Sequence, residues 1–321
     1  MTIIAYFIYV ILQISLLPIG LIGVIWVGYR QVWISRKLGL SQTAVEVING
    51  RWTMDVFNIR KDDAARRLAS VLPNNSTTGL WLALFPLYVL HLLSGRNLLY
   101  PRIPGRGDET IADLMIARTI LFDTLIEEHI ETAEQFVILG AGLDTRAYGP
   151  LAGPGLSMFE LDQSATQRMK RQRLEQAHIP SDHVRFIEVD FSDARWIDGL
   201  VDAGFNPSLK TVFLWEGVTL YLDQEDVINT LAAVKSVAAP GSALLVDIYA
   251  ESFLKLAKKG AMAKTLDATG ESLGFGLDFA TAHQLALDSF LQSQNLQPGA
   301  CMFMGSNGKN GPFVVIAEVL L

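Results

Sequence analysis

A doubly wound, mostly parallel α/β sheet, with a C-terminal antiparallel hairpin and a helical region before it, is the fold class this 321-residue sequence predicts. Three observations predict it. From about residue 110, short apolar runs alternate with helical stretches, the pattern of parallel strands joined by crossover helices. Four of those runs end in glycine or an acidic residue. The last twenty-one residues, CMFMGSNGKNGPFVVIAEVLL, read as two strands around a Gly/Asn-rich turn. The chain is 50% hydrophobic, ample for a sizeable core.

The first element is an apolar run. From Thr2 through Tyr29 no side chain is charged, and Arg30, Arg36 and Lys37 come directly after it. The run is long enough to cross a bilayer, which takes about 20 residues, and is apolar all round rather than on one stripe. A cleaved signal peptide fits poorly, because no basic residue precedes the run and no clean small-x-small site comes after it. The expectation is a membrane-anchor helix over residues 1–30, crossing once, with the chain after residue 30 facing the cytoplasm by the positive-inside rule. A helix buried in an oligomer interface or against the domain is the competing reading. Residues 31–109 are expected to be a helical cap or lid. Within them Gly79–Gly95 forms a second apolar run of about 17 residues, short for a span. An interfacial helix, a re-entrant helix, a lid and a plain core helix all remain open for it.

Residues 110–321 carry the sheet. Ile111–Ile130 has a helical pattern and Phe136–Leu139 is a short buried strand. VILGAGLDTRAY at 137–148 then drops from that strand into a glycine turn and on toward a helix. Leu156–Leu161 is the second strand, Ser164–Ala177 a polar helix, Val184–Val189 the third strand and Thr211–Trp215 the fourth. Asp223–Ala238 is a helix ended by Pro240-Gly241, and Ser242–Ile248 is the fifth strand.

In such sheets a ligand sits at the carboxyl ends of the strands, at the switch point. The residues there are Gly140-Ala141-Gly142, then Glu160-Leu161-Asp162, then Asp190-Phe191, then Glu216-Gly217. A dinucleotide fingerprint would need a third glycine where Thr145 stands, so NAD and ATP are not expected. Asp162 lies 20 residues after Gly142, the spacing at which a carboxylate meets a ribose diol. An acidic crevice repels phosphate and tolerates a cation, which suits the sulfonium and ammonium of S-adenosyl-L-methionine.

Other chemistries are poorly supplied. A formal net charge of −7 disfavours a nucleic-acid partner. Cys301 is the only cysteine, which excludes an internal disulfide and a thiolate cluster. His91, His129, His178, His183 and His283 show no metal-ligand spacing, so no metal is expected.

Taken together, GAGLDTRAY, FELDQ, VDF and WEGVTLYL resemble the leucine carboxyl methyltransferase-like family of class I S-adenosylmethionine-dependent O-methyltransferases, in particular its bacterial polyketide-associated branch. SQTAVEV and ARTILFD (117–123) look like the same branch. The resemblance covers roughly residues 41–321, diverges between 50 and 105, and excludes residues 1–30. It implies a Rossmann-like methyltransferase sheet and a role for each matching position. Arg118 would hold the methionine carboxylate, and Gly140 and Gly142 would let the backbone approach the methionine portion. Asp162 would take the ribose hydroxyls, with Glu160 its neighbour. Asp190 and the backbone at Phe191 would hold the adenine edge, and Glu216 would face the methionine end near the methyl. Asp144 and Arg146 would shape the turn or form ion pairs. The chain departs from the family at Gly149-Pro150, where a polar helix start is usual.

The expected activity is O-methylation of a carboxylate or hydroxyl on a lipophilic small molecule at the membrane. Glu216 and Tyr221 are the candidate catalytic residues, and Tyr221 and Tyr249 could orient a substrate oxygen. The alternatives are N-, S- or C-methylation on the same fold, or a membrane-anchored cofactor-binding protein without catalysis.

Overall fold

The computed structural model describes residues 2–38, 41–151, 155–191, 196–259, 263 and 272–321. Its centre is a seven-stranded sheet. The strands are β1 (Gln135–Leu139), β2 (Ser157–Asp162), β3 (Val184–Glu188), β4 (Thr211–Trp215), β5 (Ala243–Tyr249), β6 (Gln297–Met304) and β7 (Val314–Leu320), in the order β3-β2-β1-β4-β5-β7-β6. The first five pair in parallel. β7 then runs antiparallel to β5 and β6 antiparallel to β7, so the hairpin expected at the C-terminus is the closing edge. Every residue of β1, β4 and β5 is buried, as a sheet covered on both faces requires. The chain moves outward from β1 to β3, then returns to the other side of β1 at β4. The switch point therefore lies between β1 and β4, where a crevice opens beyond the carboxyl ends.

The helices, in chain order, are α1 (Thr2–Ser15), α2 (Leu17–Tyr29), α3 (Ser35–Leu38), α4 (Gln42–Val56), α5 (Asp63–Val71), α6 (Thr77–Ser94), α7 (Leu114–Ile130), α8 (Ser164–Gln176), α9 (Trp196–Asp202), α10 (Gln224–Val237), α11 (Glu251–Ala257) and α12 (His283–Ser293). A 3-10 turn at Ile111–Asp113 leads into α7, where the sequence predicted one helix from Ile111.

Two expectations need correction. The turn after β1 does not hand over to an α-helix: Arg146–Tyr148 is a single 3-10 turn. Asp144 and Arg146 are drawn inward into ion pairs rather than placed on a helix surface, which accounts for the short turn. In addition, the apolar run 2–29 is two helices rather than one. Pro18 falls in the first turn of α2; it lacks an N–H and crowds the preceding turn, and the chain bends at Leu16.

α4 and α5 share a core with Leu143 after β1 and with Leu174, Ala177 and Ile179 at the end of α8. The helical region before the sheet is thus packed onto it. α6 is not a plain core helix, since only Gly79, Pro86 and Leu90 are fully buried along it. Its first turn is capped by Ser76, and the preceding Asn74 and Asn75 bond Ser35 and Ala69. At its other end Tyr88 and His91 pack on Phe57, and Asn97 bonds the Phe57 carbonyl. Both ends are therefore tied to the same body.

α2 runs antiparallel along α6. Gly20 faces Leu82, Gly23 faces Gly79 and Ala83, and Val27 faces Gly79. A Cβ on Gly23 would lie 2.6 Å from the Gly79 carbonyl oxygen, so the close crossing of these helices depends on glycine there. Arg30, just past α2, donates to the Pro73 carbonyl and pins the two helices at that end.

Candidate active site

One cavity of about 800 Å³ occupies the crevice beyond the switch point. Arg118, Gly140, Gly142, Asp162, Asp190, Phe191, Glu216 and Tyr221 all line it. They come from α7, the turn after β1, the ends of β2 and β3, and the loop after β4, so only the sheet topology brings them together. Glu160 does not line it. Its carboxylate turns away to meet Lys170 at 2.7 Å, and burial raises its pKa despite that partner.

The glycine turn is shaped by the ends of two strands. The N–H groups of Gly140 and Ala141 donate to the Leu161 carbonyl. Gly140 has φ +69°, and a Cβ there would come 2.4 Å from a Val218 methyl, so both the conformation and the space call for glycine. Gly142 has φ +43°, and its N–H donates to Asp162 Oδ2 at 2.6 Å. Oδ1 of Asp162 accepts from the Gln163 N–H at 2.7 Å. Burial raises the Asp162 pKa, while these two backbone donors act against the shift. A carboxylate has about four lone-pair sites, so each oxygen can still accept from a ligand hydroxyl.

Beneath the turn lies a buried ion network. Arg51 on α4 makes a bidentate pair with Asp144 at 2.8 and 2.7 Å and reaches Glu216 at 3.5 Å. Arg146 Nη1 meets Asp144 and Glu216 at 2.6 Å each, and its Nε meets Asp123 at 2.7 Å. Arg118 Nε donates to Glu216 Oε1 at 3.0 Å. Its Nη1 donates to Asp247 Oδ2 at 3.2 Å and to the Tyr249 hydroxyl at 2.5 Å. Burial opposes ionisation of Asp144 and Glu216, but the arginines outweigh it and hold both below the usual carboxylate range. Asp247 is different. It faces one arginine, and burial pushes it up to about 6 even though it accepts from the Gly217 N–H.

These directions separate the roles. Glu216, held ionised by three guanidinium groups, is a poor proton acceptor, and its oxygens serve to orient Arg118 and Arg146. Asp144 and Arg146, for which contact and ion pairing were both expected, form ion pairs. Tyr249 is buried, and burial and the neighbouring Asp247 carboxylate raise its pKa well above the phenol range although Arg118 lowers it, so its hydroxyl stays protonated. No signal in the sequence marks Arg51 as part of the site. SQTAVEV opens its helix, but Arg51 lies beyond that motif, where the resemblance diverges, and an arginine in a helical stretch looks like any solvated one. Its neighbours along α4, Ser41 to Ala44, line the cavity beside Gly142.

The remaining walls are apolar, from Ile111, Leu114 and Met115 on one side to Leu220, Phe253 and Leu273 on another. Among the described residues no cluster of three or more His, Cys, Asp or Glu is placed to hold a metal ion.

Comparison with known proteins agrees with the resemblance seen in the motifs. The family model for leucine carboxyl methyltransferase matches residues 99–235. A Bacillus subtilis protein named "Putative S-adenosyl-L-methionine-dependent methyltransferase YktD" is 37% identical over 46% of this chain and 51% of its own length. A Mycobacteroides abscessus protein of the same description is 40% identical over 39% of this chain and 42% of its own. The chain thus spans about half the length of the curated relatives it matches. Among solved structures, an O-methyltransferase family protein from Burkholderia thailandensis is similar with a TM-score of 0.45 and 15% identity, over 65% of this chain and 57% of that one. The fold itself stands on the strand order of the sheet.

Proposed function

We propose that the protein is an S-adenosyl-L-methionine-dependent methyltransferase acting on an oxygen of a lipophilic small molecule, with the membrane as its place of work. The observation that carries this reading is the convergence of Arg118, Gly140, Gly142, Asp162, Asp190, Phe191 and Glu216 on one cavity. The donor set suits the cofactor. Asp162 has acceptor capacity for a ribose diol, the backbone at Gly140 and Gly142 admits close approach, and Arg118 offers a guanidinium to a carboxylate. The turn after β1 leads into a 3-10 turn and not into an α-helix of its own, so the seat that a dinucleotide-binding turn gives a pyrophosphate at the start of that helix is missing. When bound, the cofactor supplies an electrophilic methyl on a sulfonium.

The residues of the chain then have positioning work. Glu216 holds Arg118 in place through Nε, and Asp247 and Tyr249 hold it through Nη1. The apolar wall excludes water from the methyl end, where a desolvated nucleophile reacts best. Tyr221 lines this part of the cavity as a candidate to orient the acceptor oxygen. Held ionised by arginines, Glu216 is not poised as a general base, which favours an acceptor that is already ionised, a carboxylate, over an alcohol. The apolar helices α1, α2 and α6 support a lipophilic acceptor and membrane association. The helical stretches Leu17–Leu38 and Thr77–Ser94 are long and apolar enough to cross a membrane by length and composition.

Purified full-length protein in detergent should bind S-adenosylmethionine in a calorimeter and transfer a radiolabelled methyl group to a component of a lipid extract. Release of that label by mild alkali would identify a carboxyl ester, whereas retention would point to an ether or to an N-, S- or C-methyl group. Absence of both cofactor binding and transfer would remove the methyltransferase reading.

A further inference from the structure

The first helices present an apolar surface that nothing among the described residues covers. Phe7, Ile11 and Ile14 on α1, and Ile22 and Ile25 on α2, are exposed, Ile25 by 69%. Trp81, Phe85 and Leu92 extend the same surface along α6. Only 6% of the apolar stretch containing α2 and 17% of that containing α6 are buried, too little for core helices. Residues 1–45 contain Arg30, Arg36 and Lys37 but no acid, and the first carboxylate is Glu46. Trp26, Tyr29 and Trp33 are exposed at this basic end, Trp33 by 63%. Apolar bulk, interfacial aromatics and a basic end match an anionic lipid surface better than a protein partner, whose interface would mix polar groups of both signs.

The geometry also decides how these helices meet lipid. α6 begins and ends on the body that carries the sheet, tied by Asn75 at one end and Asn97 at the other. It therefore cannot cross a bilayer without taking that body with it. α2 lies antiparallel against α6, in contact at Gly23 and Gly79. We propose that α1, α2 and α6 form a raft lying in the plane of a single leaflet, instead of an anchor in which residues 2–29 cross once. The continuous helical stretch that begins with α2 ends at Leu38, and Ser41 already lines the cavity. Three peptide units span at most about 11 Å, so a headgroup-depth molecule at the basic end of the raft is close to the site. The acceptor is then a membrane-dissolved amphiphile that presents its oxygen at headgroup depth. This substrate class rests on the methyltransferase reading, while the in-plane docking does not.

The test uses full-length protein added from detergent to preformed phosphatidylcholine vesicles with and without phosphatidylglycerol. The protein should float with the vesicles, more completely when phosphatidylglycerol is present. The double substitution Ile22→Glu and Ile25→Glu, at exposed positions, should weaken vesicle binding by at least about a hundredfold, since each buried charge costs more than about 1.4 kcal/mol, a factor of ten. Binding of S-adenosylhomocysteine by that variant should equal that of the parent, which also shows it folded. In a Cys301→Ser background, Thr2→Cys and Asp202→Cys should both react with a membrane-impermeant maleimide on sealed vesicles. Thr2→Cys reacting only after the vesicles are opened would establish a crossing helix and overturn the raft. A detergent-free soluble dimer that does not float would show that a second copy covers the surface, and would overturn it equally. Flotation without cofactor binding by the parent protein would sink the methyltransferase reading and the substrate class while leaving the docking intact.

Discussion

Asp162 shows how much one side chain does here. It closes the glycine turn through the Gly142 N–H and keeps acceptor capacity for a ligand. Asp162→Ala should weaken S-adenosylmethionine binding by about 1–3 kcal/mol, the cost of unmade charged hydrogen bonds. Unchanged affinity in a folded variant, read by calorimetry, would remove Asp162 from the site. Arg118 is less simple than its motif suggests. Its Nε and Nη1 already hold Glu216, Asp247 and Tyr249, so Arg118→Ala leaves buried carboxylates uncompensated and should cost about 3–5 kcal/mol of stability. Arg118→Lys keeps the charge but loses the fork, and is the better probe. It should weaken binding of the methionine-bearing cofactor while barely changing that of adenosine. Equal losses for the two ligands would mean that the substitution acts through the fold.

At the scale of elements, α4 and the turn after β1 belong to one unit. Arg51 lies past the motif that opens α4, yet it welds the helix to Asp144 with both terminal guanidinium nitrogens and reaches Glu216. Arg51→Ala should destabilise the protein by about 3–5 kcal/mol in denaturant unfolding. In a double-mutant cycle with Asp144→Ala the two effects should fall well short of additive, as for groups in one network. Full additivity would show that the pair does not couple α4 to the site. The turn after β1 makes the second prediction at this scale. It lacks a third glycine and leads into a 3-10 turn, so NAD and ATP should not bind. Saturable micromolar binding of NAD would contradict that account of the turn.

Across the whole molecule the buried acids set opposing pH trends. The folded pKa values of Asp144 and Glu216 are depressed, so their stabilisation is present above the unfolded carboxylate range and lost as pH falls through the folded values. Asp247 is raised, from 3.8 to about 6, so its contribution is full below the unfolded pKa and is lost as pH rises toward and past 6. At about 1.4 kcal/mol per unit the second trend is worth about 3 kcal/mol. Asp247→Asn should therefore flatten the stability profile between pH 4 and 6, measured by denaturant unfolding across that range. A profile identical to that of the parent protein would show that Asp247 does not titrate there.

The sheet was legible in the sequence because each strand is a short apolar run, and hydrophobic alternation with helices specifies parallel pairing locally. The strand-end residues were legible for a related reason: glycine and acids at the ends of buried runs are out of place unless a turn or a ligand uses them. The apolar run at the start announced itself by the absence of charge alone. Only the tertiary structure decided the rest. That Arg51 faces Asp144, 93 residues away, depends on how α4 docks, and no local pattern encodes it. That Glu216 is a held anion rather than a base is the work of three arginines drawn from three separate elements. That α2 lies along α6, whose two ends return to the same body, turns on one glycine crossing and a handful of polar ties. Periodicity reports which faces are apolar; pairing of buried charges and the direction of a helix relative to its neighbours are set by contacts between segments distant in the chain.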